Sequence, residues 1–280
     1  MNCPAAFDIG ISNGDAVCGG EYFSTPRRAS AQETMESLLR RCSDLPEGLP
    51  LAVTGVGSSA LPDEVLGHPL LRIPEFEAVG LGGQLAAQGE FADNCLVVSA
   101  GSGIALVHAS GETYTHCGGT GAGGGALFAL GRLLLEADSP RQLAEWAGAG
   151  DAGAFNLCIG DVFGGPLGNL PAEFTAVNFG KLIASELPAD GTRLLDGAVR
   201  EDVAAALTVM IAEVAAVLAS AVAHALGVSR LVVIGNLVRN AVWVQSLSRI
   251  AESFQLQLFI PEKPGSAVAR GALASAQKGG

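Results

Sequence analysis

Short apolar runs closed by glycine predict strands along the chain. Ala5–Ile9 is the first, followed by Gly10-Ile11-Ser12-Asn13-Gly14. Residues 16–18 can return as a second strand, Gly19-Gly20 turns, and residues 21–24 make a third. The pattern reappears at residues 95–117. There residues 95–99 form an apolar run, Gly101-Ser102-Gly103 reverses the chain, and residues 104–108 return. Ser110-Gly111 then turns into residues 113–117. Glycine suits these reversals because it accepts positive φ at no steric cost.

Helical periodicity fills the intervals. Ser30 is a predicted N-cap, with Glu33 at the capping-box position, for a helix through Arg41. Strands at Leu51–Thr54 and residues 70–73 lead to Pro74-Glu75-Phe76-Glu77, and a helix is expected from there to about residue 88. In the second half a helix should follow Gly125 to residue 137, and Ser139 should cap another over Pro140–Ala149. Residues 151–174 read as loop and 176–186 as helix. An alanine-rich helix over 198–226 stops at Gly227. A strand at 231–234, a helix at 242–254, a strand at 257–260 and a helix at 266–277 finish the chain. The expectation is an α/β protein of two halves, residues 1–90 and 91–280, packed together because no linker exceeds about 15 residues.

Six of the eight residues 118–125 are glycine, and an apolar helical pattern (Leu127, Leu130, Leu133, Leu134) follows at once. A helix N-terminus carries unpaired N–H groups and partial positive charge, and preceding glycines let a phosphate approach the backbone. The plainer alternative is a glycine run that only allows close packing. Density after a double hairpin favours a phosphate site.

Charge and cysteine usage narrow the partners. The 280 residues carry a formal charge of −12, and the lysines are Lys181, Lys263 and Lys278. Such a surface repels nucleic acid and anionic lipid, so a small-molecule partner is expected. Six cysteines without CxxC pairing, and residues 1–6 without a signal-peptide pattern, fit a reduced cytoplasmic protein. The four histidines are scattered and form no zinc-type cluster. Residues 203–226 are the most apolar long stretch, but Glu213 and His224 favour a buried helix over a membrane span.

The repeated triple-strand opening is characteristic of the duplicated actin-like (ribonuclease H-like) ATPase and sugar kinase fold, with two domains flanking a nucleotide cleft. Residues 118–125 further resemble the second phosphate loop of type II pantothenate kinases. Thr175-Ala176-Val177-Asn178-Phe179-Gly180 resembles that family's LTAxNFG run, and Pro74-Glu75-Phe76-Glu77-Ala78 its EFDA segment. Ile234-Gly235-Asn236 is similar to its adenosine-side turn and residues 265–273 to its closing glycine helix. The resemblance spans nearly the whole chain and is strongest over residues 96–181.

The resemblance implies a dimeric kinase, paired through the long helix, that moves the γ-phosphate of MgATP to pantothenate in coenzyme A biosynthesis. It places Glu75 as general base and Asp8 near magnesium, through water. Gly10, Ser12, Asn13, Ser102, Gly103, Gly123, Gly124 and Gly125 fall around the phosphates, and Gly235 and Asn236 at the adenosine. Glu75, Ser102, His116, Gly118 and Gly119 fall at the substrate. Two positions depart from the family. Asp15 stands where its first loop, Asp-x-Gly-Gly-Thr-x-x-Lys, has lysine, and His116 stands where it has arginine. Ile11 also replaces a loop glycine.

Read without the resemblance, Glu75 is equally a helix-start acid, Asp8 a turn residue and His116 a half-solvated strand histidine. Three functions therefore stand side by side. They are a kinase of pantothenate or another small hydroxylated molecule, a non-catalytic nucleotide-binding homologue, and an actin-like ATPase holding an iron–sulfur cluster through Cys117 and Cys158.

Overall fold

The computed structural model describes residues 3–42, 45–87, 89–168, 170–183 and 197–278. The first half runs β1 (Ala5–Ile9), β2 (Asn13–Cys18), β3 (Glu21–Pro26), α1 (Ala31–Leu39), β4 (Leu51–Thr54), β5 (Glu64–Val65), β6 (His68–Arg72) and α2 (Glu75–Ala86). The sheet order is β3-β2-β1-β4-β6-β5. β1 is antiparallel to β2 and parallel to β4. The Ser30 side chain accepts from the Glu33 N–H and starts α1, as its sequence predicts. Alternation along the strands then sorts the side chains. Phe7, Ile9, Ala16, Leu51 and Val53 pack on Met35 and Leu38 of α1, while Ala6 and Ala52 belong to a second core on the other face.

The second half runs β7 (Asn94–Ala100), β8 (Ile104–Ser110), β9 (Thr113–Thr120), α3 (Gly124–Leu135), α4 (Pro140–Ala149), β10 (Leu157–Cys158), α5 (Ile159–Phe163), β11 (Thr175–Val177) and α6 (Arg200–Leu226). It closes with β12 (Arg230–Ile234), α7 (Ala241–Ser253), β13 (Gln257–Phe259) and α8 (Ala267–Lys278). Its sheet order, β13-β12-β7-β8-β9, repeats β6-β4-β1-β2-β3 strand for strand. The duplication expected from the triple-strand openings is therefore a property of the topology.

The last helix of each half, α2 and α8, lies in the shared core with Val97, Val107, Val232 and Ile234. Glycine sets their approach. A Cβ at Gly82 would collide with the Ala267 carbonyl, and one at Gly271 with the Ala78 carbonyl. Gly80 and Gly83 press on Tyr114 and Val97 of the second sheet. Glu77 accepts a hydrogen bond from Ser275, which ties the two helices and gives Glu77 a structural role.

Packing divides the chain differently from the duplication. One compact unit holds the described residues up to Thr120, Ala221–Asn236 and those from Gln257 on. It contains both large sheets, α1, α2 and α8. The other holds Gly121–Ser220 and Leu237–Leu256, with α3, α4, α5, α7 and most of α6. The expected boundary at residue 90 follows the repeat; these units follow the cores.

Three local expectations change. Residues 118–120 continue β9 instead of opening a loop. The stretch 151–174 contains β10, α5 and a 3₁₀ turn at Ala152–Ala154. Of the helix expected over 176–186 only a 3₁₀ turn at Gly180–Leu182 forms among the described residues, and residues 184–186 lie outside them. β-Branched Thr175 and Val177 instead pair with β10, and the Asn156 side chain accepts from the Phe179 N–H at 2.9 Å, holding Phe179 at φ +54°. By length and composition α6 could cross a membrane, yet 67% of its most apolar window is buried within the protein, as in a core helix.

Candidate functional site

The loop after β1 is drawn tight by its own backbone. Gly10 N–H donates to Asn13 O at 2.9 Å and Arg27 N–H to Ser12 O at 2.8 Å. The Arg27 guanidinium adds a 2.6 Å bond to Gly10 O. The Ser12 and Ser102 hydroxyls lie 2.8 Å apart, so the first hairpin of each sheet meets the other there. Gly101 N–H donates to Gly103 O at 3.0 Å and closes the second of these turns.

A row of polar side chains runs beside this loop. Asp8 is paired across the sheet with Asp15 on β2 and with Thr54 on β4. Asp15 is 6% exposed and accepts from the Tyr22 hydroxyl at 2.6 Å. Gly55, at φ +82°, has no room for a Cβ because Asp8 Oδ1 and Ile9 O press against it. Burial pushes the Asp8 carboxyl up to about 7, and the negative charges of Asp15 and Glu75 add to the shift. Thr54 is fully buried, and its hydroxyl has no hydrogen-bond partner.

Glu75 opens α2 behind Pro74. Desolvation by its surroundings raises its pKa although the side chain reaches solvent, and nearby His116 works in the opposite direction. A raised carboxylate beside solvent suits proton acceptance from a hydroxyl. His116 owes its placement to a bulge. Leu106 pairs with Gly118 and Val107 with His116, which leaves Cys117 as the extra residue. Gly118 and Gly119 pair with Leu106 and Ala105, and a Cβ on Gly119 would strike Ile104 O. Their visible role is close strand packing.

On β12's exit, Gly235 sits at φ +102° against the Ala100 backbone and donates to Pro264 O at 2.9 Å. Asn236 Oδ1 is buried without a partner, and both it and the Tyr22 hydroxyl border Gly265. An orphaned acceptor there suits an amino or hydroxyl donor of a ligand.

In the second unit, Gly123 is the N-cap of α3, and no side chain caps the helix. Its first-turn N–H groups, at Gly124 and Gly125, suit an anion. In the same unit, Glu213 on α6 accepts bonds from Thr175 and Asn178.

The first unit thus carries Asp8, Gly10, Ser12, Asn13, Glu75, Ser102, Gly103, His116, Gly118, Gly119, Gly235 and Asn236, while Gly123–Gly125 belong to the second. Sequence reading missed Tyr22, Arg27, Thr54 and Gly55. Only the glycine after a strand ending in threonine hinted at the last two. Among the described residues no three His, Cys, Asp or Glu side chains gather as a metal cage. Cys117 donates to Thr115 O and Cys158 sits at the start of α5, so neither belongs to a ligand cluster. Magnesium needs less than a cage: one or two carboxylates, with water and phosphate completing the shell. Asp8, Asp15 and the orphaned Thr54 hydroxyl fit that requirement.

Two solved structures with bound nucleotide analogues share the fold. The activator of the 2-hydroxyisocaproyl-CoA dehydratase from Clostridium difficile, with bound ADPNP, matches 99% of this chain and 97% of its own at TM-score 0.64 and 15% identity. A ROK family glucokinase from Streptomyces griseus matches 98% and 99% at TM-score 0.59 and 13% identity. The fold is actin-like. Among curated proteins, a type II pantothenate kinase of Bacillus cereus is 26% identical over 96% of this chain and 98% of its own. One from Oceanobacillus iheyensis is 28% identical over 89% and 90%. The Fumble family model matches residues 88–257, well over half of the sequence, and the chain belongs to the Fumble family.

Proposed function

We propose that this protein is an ATP-dependent kinase that phosphorylates the hydroxyl of pantothenate to give 4'-phosphopantothenate, a step of coenzyme A biosynthesis. Family membership and the type II pantothenate kinase relatives support the activity. The single structural observation that carries the chemistry is Glu75, a carboxylate of raised pKa at a helix start, in the unit that holds the Asp8 row and the first loop.

Glu75 accepts the hydroxyl proton as the substrate oxygen attacks the γ-phosphorus, and ADP leaves. The loop of Gly10, Ser12 and Asn13 and the turn of Ser102 and Gly103 orient phosphate oxygens through N–H and hydroxyl groups. Asn236 accepts from the adenosine, and Gly235 lets the backbone approach it. His116 donates to a substrate oxygen from β9, beside Gly118 and Gly119, which pack closely on β8. Gly123, Gly124 and Gly125 contribute N–H groups from the start of α3. Asp8 and Asp15 would hold magnesium, which when bound screens the charge of the phosphates. Val214 and Val217 on α6, 39% and 52% exposed, offer an apolar stripe for a homodimer. The charge of −12 fits a small-molecule partner, without nucleic acid or membrane, in the cytoplasm.

Asp15 and His116, standing at the family's two cationic positions, favour one second reading, a nucleotide-binding homologue without turnover. Coupled ADP release with and without pantothenate separates the two. Pantothenate-dependent ADP release supports the kinase, and ATP binding without any release supports the binding protein.

A further inference from the structure

Pro26 pairs with Asn13 at the end of β3, so the next residue, Arg27, is delivered beside the loop that follows β1. Its backbone N–H donates to Ser12 O at 2.8 Å and its guanidinium to Gly10 O at 2.6 Å. Gly57 leaves space for the guanidinium, since a Cβ there would stand 2.9 Å from Nη1. Arg27, Gly10, Ser12, Gly57 and Ser102 all belong to the first unit. A guanidinium carries five N–H donors, and Gly10 O takes one of them. Arg27 is half-buried, and among the described residues no carboxylate forms an ion pair with it. In a chain with 28 acids and 16 bases, a half-buried cation left without an acid calls for an anion from outside. The planar fork of a guanidinium matches phosphate oxygens.

We propose that Arg27 is the cation of the first phosphate loop and binds the polyphosphate of the nucleotide, in place of the lysine that the resembling loop carries where this chain has Asp15. The Gly10 carbonyl holds one edge of the guanidinium and leaves its other N–H groups to phosphate oxygen. The positive charge comes from the end of β3 instead of from β2, where Asp15 is buried and bonded to Tyr22. The inference rests on the nucleotide-binding part of the kinase reading and not on transfer to pantothenate.

The test is calorimetric titration of the full chain with MgATP and, separately, with adenosine, in the absence of pantothenate. Arg27→Gln keeps an N–H for Gly10 O and loses the charge, Arg27→Met loses both, and Arg27→Lys keeps the charge. Arg28→Gln removes the charge of the next, exposed residue and is the control. Arg27→Gln and Arg27→Met should each weaken MgATP about 10- to 100-fold, leave adenosine affinity unchanged and flatten the salt dependence of MgATP binding. Arg27→Lys should recover most of the affinity, and Arg28→Gln should change it little. If Arg27 only held the loop, the glutamine would serve and the ratio of MgATP to adenosine affinity would stay at its wild-type value. That result in a folded variant overturns the proposal, as does an equal loss for both ligands, an equal loss in Arg28→Gln, or a wild-type chain that binds no MgATP. Arg27-dependent MgATP binding without pantothenate-dependent ADP release would instead sink the kinase reading and leave the proposal standing.

Discussion

The two large sheets share one topology and differ in one row. In the first sheet the residues Thr54, Asp8, Asp15 and Ser24 lie side by side across β4, β1, β2 and β3. The equivalent row of the second sheet is Ile234, Ser99, Ala105 and Gly119. Both rows lie on faces that elsewhere feed the same core, through Ala6 and Ala52 in one sheet and Val97 and Val107 in the other. The first row is acidic and contains an orphaned hydroxyl. The second is uncharged, and Gly119 within it and Gly235 beside it make close backbone contacts. Duplication supplied two equal scaffolds; the substitutions along one row decide which of them holds charge and which allows close backbone approach.

The largest effect should come from removing the base beside the charged row. Glu75→Ala is expected to lower kcat by about 10²–10⁴-fold while ATP binding stays close to wild type. The acidic limb of the kcat profile should lie above the usual carboxylate range, because burial raises Glu75, and the variant should lose that limb. Steady-state kinetics across pH with nucleotide titration checks both. Next in size is the joint between the two halves. Gly271→Val drives a side chain into the Ala78 carbonyl, so denaturant unfolding should show a loss of about 3 kcal/mol or more.

Making the first row resemble the second sharpens the comparison in the opposite direction. Thr54→Val imitates Ile234 and removes an unpaired buried hydroxyl, so it should stabilise the metal-free chain by about 1 kcal/mol while lowering activity. Calorimetry with a chelator, set beside turnover, reads the trade.

The smallest effect lies outside both rows and serves as a control. Glu213 is raised by burial, with bonds from Thr175 and Asn178 pulling it back. A carboxyl raised in the folded state contributes stability that is complete below its unfolded pKa and is lost as pH rises through the folded value. Glu213→Gln should therefore flatten the fall of stability with rising pH just above the ordinary glutamate range, without changing nucleotide affinity. Melting curves across that range decide it.

Much of this was legible because the signals were local. The Ser30 and Ser139 caps, the glycine reversals and the apolar strand runs each act within a few residues, and the structure has them where the sequence puts them. The acidic row was not legible, because Thr54 meets Asp8 only through the parallel pairing of β1 with β4. Arg27 was missed for the same reason, since its bond to Gly10 crosses a whole hairpin. At Thr175–Val177 an apolar pattern of helical appearance was overridden by pairing with β10, a contact no local window contains. The compact units were hidden too, because the chain returns to the first one at Ala221 and again at Gln257.

The central claim is phosphoryl transfer to pantothenate with Glu75 as base. Its most direct test is mass spectrometry of the product formed from MgATP and pantothenate by the wild-type chain and by Glu75→Ala at equal nucleotide saturation. The account predicts 4'-phosphopantothenate in step with ADP from the wild type, and a yield lower by the factor given above from the variant. No phosphorylated product from a wild-type chain that binds ATP, or equal yield from both chains, would contradict it.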